Sequence, residues 1–366
     1  MMIIGCDFHP SFQQLAMLDT ETGELVEKRV SVSEAGAFYR SLQGQTVRVG
    51  VETSGNMLWL ERLLAECGHE LWMGDAAKIR AANPQRQKTD RKDARHLLDL
   101  LMQDRFPRLW VPTLAERDLR QLLVHRHKLV RMRAQVKNQL QHIALNQGIQ
   151  WRQKLWTRAG RESLESLELD RWTRLRRDSL LQRLDGFDQE VAELDRFVQQ
   201  EAESNPRACL LMTHPGVGPV ISLATVLTLG DVSRFRNGKK VASYLGLVPR
   251  EQSSGVRRRL GSITKQGNTF LRHLLVEGGH SAVMAEEKWS RSYLHLARKK
   301  QRTGEAKVMV ARKLAVRLYW MLRLEKRYPE IVGHAGQLES SCGLKKTGRL
   351  CEHPASRSQR GFKRGA

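Results

Sequence analysis

The stretch Met2-Ile3-Ile4-Gly5-Cys6-Asp7-Phe8-His9 is a short apolar run that contains one glycine and is followed by an acidic residue. Runs of this kind predict a buried β-strand. Asp7 would lie at the far end of that strand, where a carboxylate costs free energy unless it is paired or binds a cation. A single aspartate at such a place is also typical of a cap on the following turn.

A second acidic residue stands at the end of another predicted strand. Thr46-Val47-Arg48-Val49-Gly50-Val51 leads into Glu52, which precedes Thr53-Ser54-Gly55. Two strands that each end in an acid can bring the two carboxylates together if the strands are neighbours in one sheet.

A third acidic place is the stretch Lys88-Thr89-Asp90-Arg91-Lys92-Asp93-Ala94, at the expected start of a helix. Residues three apart share a helix face, so Asp90 and Asp93 can point at one ion. Oxygen ligands without His or Cys suit Mg²⁺ or Mn²⁺. Carboxylate-held cations activate phosphodiesters. We therefore predict one metal site from Asp7, Glu52, Asp90 and Asp93.

The amino-acid composition indicates which class of molecule this protein binds. The chain has 366 residues, a formal net charge of +23 and a pI of about 10.3, which indicate a polyanionic partner, with nucleic acid ahead of a membrane surface. No apolar run approaches the roughly 18 residues of a spanning helix, and no signal peptide is apparent. The five cysteines are odd in number and scattered, so we expect a reduced, cytoplasmic protein without a disulfide framework.

The N-terminal third predicts an α/β domain of the RNase H type over residues 1–112. We expect strands at 2–8, 13–19, 25–32, 46–52 and 71–73, and helices from an N-cap at Ser33 to Leu42, over 57–67, and from Asp93 to Met102. The basic loop between Arg80 and Lys92 is either a solvated loop or a phosphate-binding segment beside the acids.

Two long helices are expected over residues 113–205, after a linker at Phe106–Thr113. Their apolar residues repeat at spacings of seven or of four and three, which is typical of a coiled coil. These residues are Leu122, Leu129, Val136 and Ile143 in the first helix and Leu180, Leu184, Phe187, Val191, Leu194 and Val198 in the second. The pattern fits an intrachain hairpin and a dimer contact equally.

Between these helices, residues 150–177 are rich in tryptophan and arginine. Trp rings stack on unpaired bases and Arg binds phosphates, so this segment is a candidate nucleic-acid contact. The alternative is a helix tip whose tryptophans pack together. The candidate contacts are Trp151, Arg152, Trp156, Arg158 and Arg174.

Residues 206–330 are expected to form a further, mainly helical domain. The turn His214-Pro215-Gly216-Val217-Gly218 resembles that of a helix–hairpin–helix motif, in which Gly216 and Gly218 would aim backbone N–H groups at a phosphate. An ordinary helix connection explains it as well. The Met and aromatic residues of helices 270–285 and 306–322 are expected in the core.

A cationic loop follows in the same domain. It contains Ser253-Ser254-Gly255 and the candidate nucleic-acid contacts Arg257, Arg258 and Lys265. A serine hydroxyl is a weak nucleophile until a base, cation or metal assists it, so the chemistry alone favours an ordinary loop.

The C-terminal segment, residues 331–366, is basic and poor in apolar residues. From Ala335 onward it has seven Lys and Arg against two Glu, so we expect a disordered tail that is attracted to nucleic acid. Cys342, Cys351 and His353 do not predict zinc, because their spacing is poor and a fourth ligand is missing.

These motifs, in this order, resemble the DEDD transposases of bacterial insertion sequences, the bridge-RNA-guided recombinases. The resemblance covers about residues 2–325. It rests on Gly5-Cys6-Asp7-Phe8-His9, Glu52-Thr53-Ser54-Gly55, the Lys88–Ala94 stretch, His214–Gly218, Tyr244-Leu245-Gly246-Leu247-Val248-Pro249 and Ser253-Ser254-Gly255.

The resemblance implies an N-terminal RuvC-like domain, a coiled-coil middle and a C-terminal transposase domain. It places Asp7, Glu52, Asp90 and Asp93 on the family's Mg²⁺-binding acids and Ser254 on its nucleophile. It further implies a covalent phosphoserine intermediate and a tetramer in which the acids of one protomer meet the serine of another. A noncoding RNA would pair with donor and target DNA, which leaves sequence choice to the RNA.

Three functional hypotheses remain. The first is an RNA-guided, serine-using DNA recombinase, and the second is a RuvC-type junction nuclease that hydrolyses DNA with water. The third is a nucleic-acid-binding protein without catalysis, whose acids serve as caps. A covalent protein–DNA adduct separates the first from the second, and metal-dependent cleavage separates both from the third.

Overall fold

The computed structural model describes residues 1–83, 89–150, 154–252, 259–300 and 303–332. The chain folds into two compact units, the first being Met1–Val111 and the second beginning at Pro112. The candidate metal ligands predicted from the sequence all belong to the first unit.

The first unit is built on a five-stranded mixed sheet. Its strands are β1 (Met2–Phe8), β2 (Phe12–Asp19), β3 (Leu25–Ser31), β4 (Val47–Glu52) and β5 (Glu70–Gly74). They lie in the order β3-β2-β1-β4-β5. β1 pairs antiparallel with β2 and parallel with β4, and β4 pairs parallel with β5. This confirms the predicted mixed α/β domain, with antiparallel strands followed by parallel ones.

In the described part of the first unit, four helices accompany the sheet. They are α1 (Val32–Ser41), α2 (Leu58–Glu66), α3 (Ala76–Ala82) and α4 (Asp90–Met102). One face of β1 contributes Ile4 and Cys6 to a core with residues of α1 and α2. The opposite face contributes Ile3 to a core with Leu97 and Leu98 of α4.

The predicted N-cap of α1 is wrong by two residues. Ser31, not Ser33, caps the helix, because its side chain accepts a hydrogen bond from the backbone N–H of Glu34 while the Glu34 carboxylate accepts from the backbone N–H of Ser31. This reciprocal capping box satisfies two N–H groups at once. Ser33 lies inside the first turn, where its hydroxyl is 3.0 Å from the hydroxyl of Ser31.

In the second unit the two long helices, α5 (Leu114–Asn146) and α7 (Arg171–Ser204), pack against each other within the chain. Val136, Leu140 and Ile143 of α5 share a core with Leu180, Leu181 and Leu184 of α7. The structure therefore shows the intrachain alternative. In α5 the buried leucine near the N-terminal end is Leu123, whereas the predicted Leu122 is half-buried.

Arginines that interrupt the apolar rows of α5 pair across to α7. The Arg126 guanidinium donates to Asp195 at 2.8 Å, and Arg133 donates to Asp188 at 3.1 Å. A short α6 (Arg158–Glu165) connects the two long helices, with a single 3-10 turn before it. These cations thus serve the helix pairing, which the sequence pattern alone does not reveal.

In the rest of the second unit, the residues that the structure describes form helices and one two-stranded sheet. It comprises α8 (Pro206–Met212), α9 (Pro219–Leu229), α10 (Gly238–Tyr244), β6 (Pro249–Glu251), β7 (Leu260–Ile263), α11 (Thr269–Ala285), α12 (Glu287–Lys300) and α13 (Thr303–Leu324). The last eight residues of α9 are buried, and guanidiniums of Arg120, Arg207 and Arg234 donate to carbonyls at its C-terminal end. Cations there satisfy carbonyls that lack helical partners.

The predicted core of α11 and α13 is partly wrong. Tyr319 and Met321 are buried as expected, but the side chains of Met284 and Trp320 are 78% and 39% exposed. Each of these two lies on the face of its helix that turns away from the core.

The structure also shows where the folded part of the C-terminal domain ends relative to the predicted tail. Ile331 is buried in the second unit's core, so the folded chain continues into the first two residues of the predicted tail. Residues 333–366, which include Cys342, Cys351 and His353, lie outside the described residues. Within the described ranges, no helix is both long and apolar enough to cross a bilayer.

Candidate functional site

The carboxyl ends of β1 and β4 place two predicted ligands side by side. These strands are parallel neighbours with Cys6 opposite Val51, so Asp7 and Glu52 are the next residue on each. Side chains alternate across a strand. Since Cys6 and Val51 pack in the core on the α1 and α2 side, Asp7 and Glu52 belong to the opposite face, which α4 covers.

Two glycines let α4 lie close to that face. A Cβ on Gly5 would be 2.2 Å from the carbonyl oxygen of Ala94 and 2.5 Å from the backbone nitrogen of Leu98. A Cβ on Gly50 would be 2.6 Å from Cδ1 of Leu101. Because α4 begins at Asp90, this close contact brings its first turn, with Asp90 and Asp93, to the end of β1 that carries Asp7.

The acids meet around a small cleft. Asp7, Glu52 and Asp93 line a cavity of about 140 Å³ together with Arg80 and His96. The fourth acid, Asp90, lies on the neighbouring side, where it is linked to Asp7 through a histidine.

That histidine is His9, to which the sequence pattern assigned no role. Its Nε2 lies 3.3 Å from Oδ2 of Asp7 and 3.6 Å from Oδ1 of Asp90. The ring stacks on Phe12 with centroids 4.6 Å apart, which fixes its orientation. The sequence signal that could have identified His9 is its spacing from Asp7. In an extended chain, a residue two positions after another lies on the same side.

Asp7, His9 and Asp90 form a group of possible metal ligands. Each offers one ligand atom, and these atoms all lie within 4.8 Å of one another. Carboxylate oxygens suit hard divalent cations such as Mg²⁺ and Mn²⁺, whereas an imidazole ligand suits transition metals. The donor set therefore fits a divalent metal.

Electrostatics agree with that fit. The pKa of Asp7 is raised, first by burial of its carboxyl group and then by the charges of Asp93 and Asp90, while the nearby His9 lowers it. The negative charges of Asp93 and Asp90 repel that of Asp7, and a bound cation would relieve this repulsion. An alternative role for Asp90 and Asp93 is to complement the helix dipole in the first turn of α4, which Thr89 caps.

The candidate nucleic-acid contacts of the Trp- and Arg-rich segment differ in how exposed they are. Trp156 is partly buried against the core of the long helices, with the Lys137 ammonium 5.0 Å from its ring centroid. Arg158 is 95% exposed and pairs with Glu162 in the same helix at 3.1 Å. Arg174 is exposed and donates to the carbonyl of Leu169 at 3.2 Å. The predicted contacts Trp151 and Arg152 lie outside the described residues.

The glycine turn before α9 is tightly packed. Gly216 has φ of +82°, and a Cβ there would be 2.7 Å from the nitrogen of Ala282 and the carbonyl oxygen of Gly278. Gly218 is the N-cap of α9 and offers no side-chain capping bond. The turn lines an open cavity of about 490 Å³ that also contacts Ser281.

A buried histidine stands in the same turn. His214 is 1% exposed and packs against the rings of Tyr328 and Trp289. Burial lowers the pKa of His214 to about 4. Its Nδ1 lies 2.7 Å from the carbonyl oxygen of Pro215. This histidine is therefore neutral at physiological pH and serves packing.

The predicted nucleophile Ser254 lies outside the described residues, as do Arg257 and Arg258. The chain on both sides is defined: the backbone N–H of Gln252 donates to the carbonyl of Arg259 at 3.0 Å. Lys265 has φ of +56° and donates its backbone N–H to Gly246 at 3.2 Å. The ends of the serine-containing loop are thus held together by β6 and β7.

Comparisons with known proteins find transposases. A family model described as the IS116/IS110/IS902 family of transposases matches residues 208–295, and a DEDD transposase model of the IS110 type matches residues 4–147. Together the two cover well over half of the chain. The matched spans contain the four predicted acids and Ser254.

Matches to individual proteins agree with the family models. A probable family 20 transposase of Pseudomonas aeruginosa is 26% identical over 76% of this chain and 83% of its own length. The transposase for insertion sequence element IS1111A of Coxiella burnetii is 25% identical over 66% of this chain and 68% of its own length. The pilin gene-inverting protein of Moraxella bovis is 37% identical over a shorter stretch, 23% of this chain and 28% of its own length.

Proposed function

This chain belongs to the DEDD transposases of the IS116/IS110/IS902 family, and we propose that it is an RNA-guided recombinase that cuts and rejoins DNA through a phosphoserine intermediate. As a transposase it acts on DNA. The observation that supports its metal-assisted part is that Asp7, Glu52 and Asp93 line one cavity while Asp7 and Asp90 both lie beside His9.

These four acids, with His9 beside them, would hold Mg²⁺ or Mn²⁺. The metal would stabilise the charge of the reacting phosphate. The protein's own part is to keep the carboxylates close together despite their repulsion, which the glycine contacts under α4 support. Arg80 lines the same cavity and would hold a neighbouring phosphate.

Ser254 would be the nucleophile, and its role rests on the family resemblance. Its Oγ would form a bond to phosphorus as one sugar oxygen leaves with a proton, so the phosphodiester becomes a phosphoserine ester. A sugar hydroxyl of another DNA end would then displace the serine, which conserves the bond energy and needs no ATP. A relative named for gene inversion supports this chemistry, since inversion requires rejoining as well as cutting.

The larger assembly is part of the same proposal. Residues 1–112 would be the RuvC-like domain, 113–205 the coiled coil, 206–330 the transposase domain with a helix–hairpin–helix turn, and 331–366 a basic tail. A noncoding bridge RNA would pair with donor and target DNA in the bacterial cytoplasm. In a tetramer, the acids of one protomer would meet Ser254 of another.

A second candidate is a RuvC-type junction nuclease in which the acids activate water. To separate the two, the protein is mixed with the element's RNA, donor and target DNA and Mg²⁺, then denatured and run on a gel. The proposal predicts a covalent protein–DNA adduct in the wild type that Ser254→Ala abolishes and Ser253→Ala retains. Cleaved DNA without an adduct, equal in wild type and Ser254→Ala, would establish the hydrolytic nuclease instead.

A further inference from the structure

The C-terminal unit contains another concave surface, whose lining residues differ from those of the glycine-turn cavity. It is a groove of about 820 Å³ between α12 and α13. A cavity of this size is on the scale that holds a small organic ligand or a nucleotide.

The groove is formed by the outward face of α13. Met309, Val316, Trp320 and Leu324 follow one another at spacings of seven and four, so they share a side of the helix. The opposite side of α13 supplies the core. Trp320 is 39% and Leu324 50% exposed, which leaves apolar surface open to a ligand.

Cations surround this apolar floor. Lys288, Arg312, Lys313 and Arg317 line the groove, against the single carboxylate of Glu286. The Glu286 carboxylate accepts a hydrogen bond from the Tyr328 hydroxyl, so part of its charge is already engaged. The groove therefore favours a ligand that combines negative charge with flat apolar groups.

From this combination we infer that the α12–α13 groove binds an unpaired stretch of DNA, with a base on Trp320 and phosphates on Arg312, Lys313 and Arg317. Aromatic side chains within a cationic groove are the usual means of binding single strands. Duplex DNA fits less well, because its bases are stacked inside and cannot reach the apolar floor.

Charge disfavours two other occupants of the groove, a second copy of the chain and the chain's own C-terminal segment. A second copy of the chain carries a net charge of +23, and the segment after Val332 is itself basic, so each would add cations to a cationic groove. The inference rests on the proposed function, in which DNA is the substrate and its strands are exchanged. Strand exchange necessarily separates DNA strands, and this groove would hold one of them away from its complement.

The test is photo-crosslinking with full-length protein. An oligodeoxythymidine strand containing 5-iodouracil is irradiated with the protein, and crosslinked peptides are identified by mass spectrometry. We expect crosslinks on the peptide that contains Trp320. In parallel, fluorescence anisotropy should show about tenfold weaker binding of the strand by Trp320→Ala, with binding restored toward wild type by Trp320→Phe.

Charge variants supply the matched control. Lys313→Gln should reduce the magnitude of the slope of log affinity against log salt by about 0.7, the value for one phosphate contact to a single strand. Lys307→Gln removes the same charge from the exposed surface of α13 outside the groove and should leave the crosslink on Trp320 unchanged. Melting curves check that each variant remains folded.

Crosslinks confined to other peptides, or equal affinity in wild type and Trp320→Ala, would overturn the inference. The same holds if duplex DNA, polyglutamate or single-stranded RNA of matching sequence displaces the strand from the groove more effectively than unlabelled single-stranded DNA does. If the Ser254 adduct forms while the groove test fails, only the groove is refuted; a Trp320 crosslink without any adduct refutes only the phosphoserine proposal.

Discussion

A Cβ on Gly5 would lie 2.2 Å from the carbonyl oxygen of Ala94, so β1 and α4 are in backbone contact at this point. Asp7 follows Gly5 by two residues on the same side of the strand, and Asp93 precedes Ala94 in the helix. The contact between Gly5 and Ala94 therefore sets how closely the acids of the strand and of the helix approach each other.

Gly5→Ala should push α4 away from β1. Overpacking of this kind costs about 1–3 kcal/mol, so we expect a lower melting temperature and weaker Mn²⁺ binding, measured by thermal unfolding and by electron paramagnetic resonance. Gly55→Ala is the control, because a Cβ there meets no atom within 4 Å. Normal Mn²⁺ binding by Gly5→Ala would show that the glycine contact does not position the acids.

Arg177 should be a structural cation despite its place in the basic segment. Its side chain is 7% exposed, and its Nη1 donates to the carbonyls of Leu164, Glu165 and Leu167 at 3.1, 2.9 and 3.2 Å. Removing a charged donor leaves buried acceptors unsatisfied at a cost of about 1–3 kcal/mol. We expect Arg177→Met to lower the denaturation midpoint, whereas Arg176→Met, at the exposed neighbouring position, should leave it within error.

The buried histidine should make the protein sensitive to acid. The folded pKa of His214, about 4, is below its ordinary value of about 6.5. Protonation therefore favours the unfolded state, and the stability contribution is complete above pH 6.5 and is lost as pH falls toward 4. We expect the loss of melting temperature between pH 7 and pH 4.5 to be smaller in His214→Phe than in wild type. His280→Phe, at an exposed position, should keep the wild-type loss, and an unchanged loss in His214→Phe would contradict the assignment.

The exposed cations of the Trp- and Arg-rich segment should contact nucleic acid. Arg158 and Arg174 both present exposed guanidiniums. The double substitution to Gln should weaken RNA binding and reduce the salt slope by up to about two. As a control, Arg161→Gln removes a side chain that is only 30% exposed and pairs with two carboxylates, those of Glu165 and Asp185, whereas Arg158 pairs with Glu162 alone; its slope should therefore change less. An unchanged slope in the double variant would remove this segment from the interface.

The sequence predicted that acidic residues would end two strands and begin a helix, but it did not predict the contacts that bring them close together. Asp7 and Glu52 were recognisable because each follows an apolar strand, and Asp90 and Asp93 because their spacing suits one helix face. The need for glycine at Gly5 was not visible, since it arises from a helix more than 80 residues later in the chain. Three-dimensional proximity of this kind leaves no local pattern.

The wrong predictions of capping and burial have a similar explanation. Ser31 and Ser33 are both suitable N-caps, and only the reciprocal bond with Glu34 distinguishes them. Trp320 belongs to a helix with periodic apolar residues, but only one side of that helix packs in the core. Periodicity alone therefore predicts more buried aromatic residues than the structure has. Leu122 and Leu123 are adjacent, and a small rotation of α5 decides which of them is buried.

The most direct test of the proposed active site is Mg²⁺-dependent strand cleavage by Asp7→Asn and Glu52→Gln, assayed with guide RNA and donor and target DNA. Asp99→Asn, on the exposed surface of the same helix that carries Asp90 and Asp93, is the control. We predict that both site variants lose cleavage by at least about a hundredfold while RNA binding is retained, and that Asp99→Asn cleaves as wild type. Cleavage at the wild-type rate by Asp7→Asn would contradict the metal site and, with it, the proposed metal-assisted recombination.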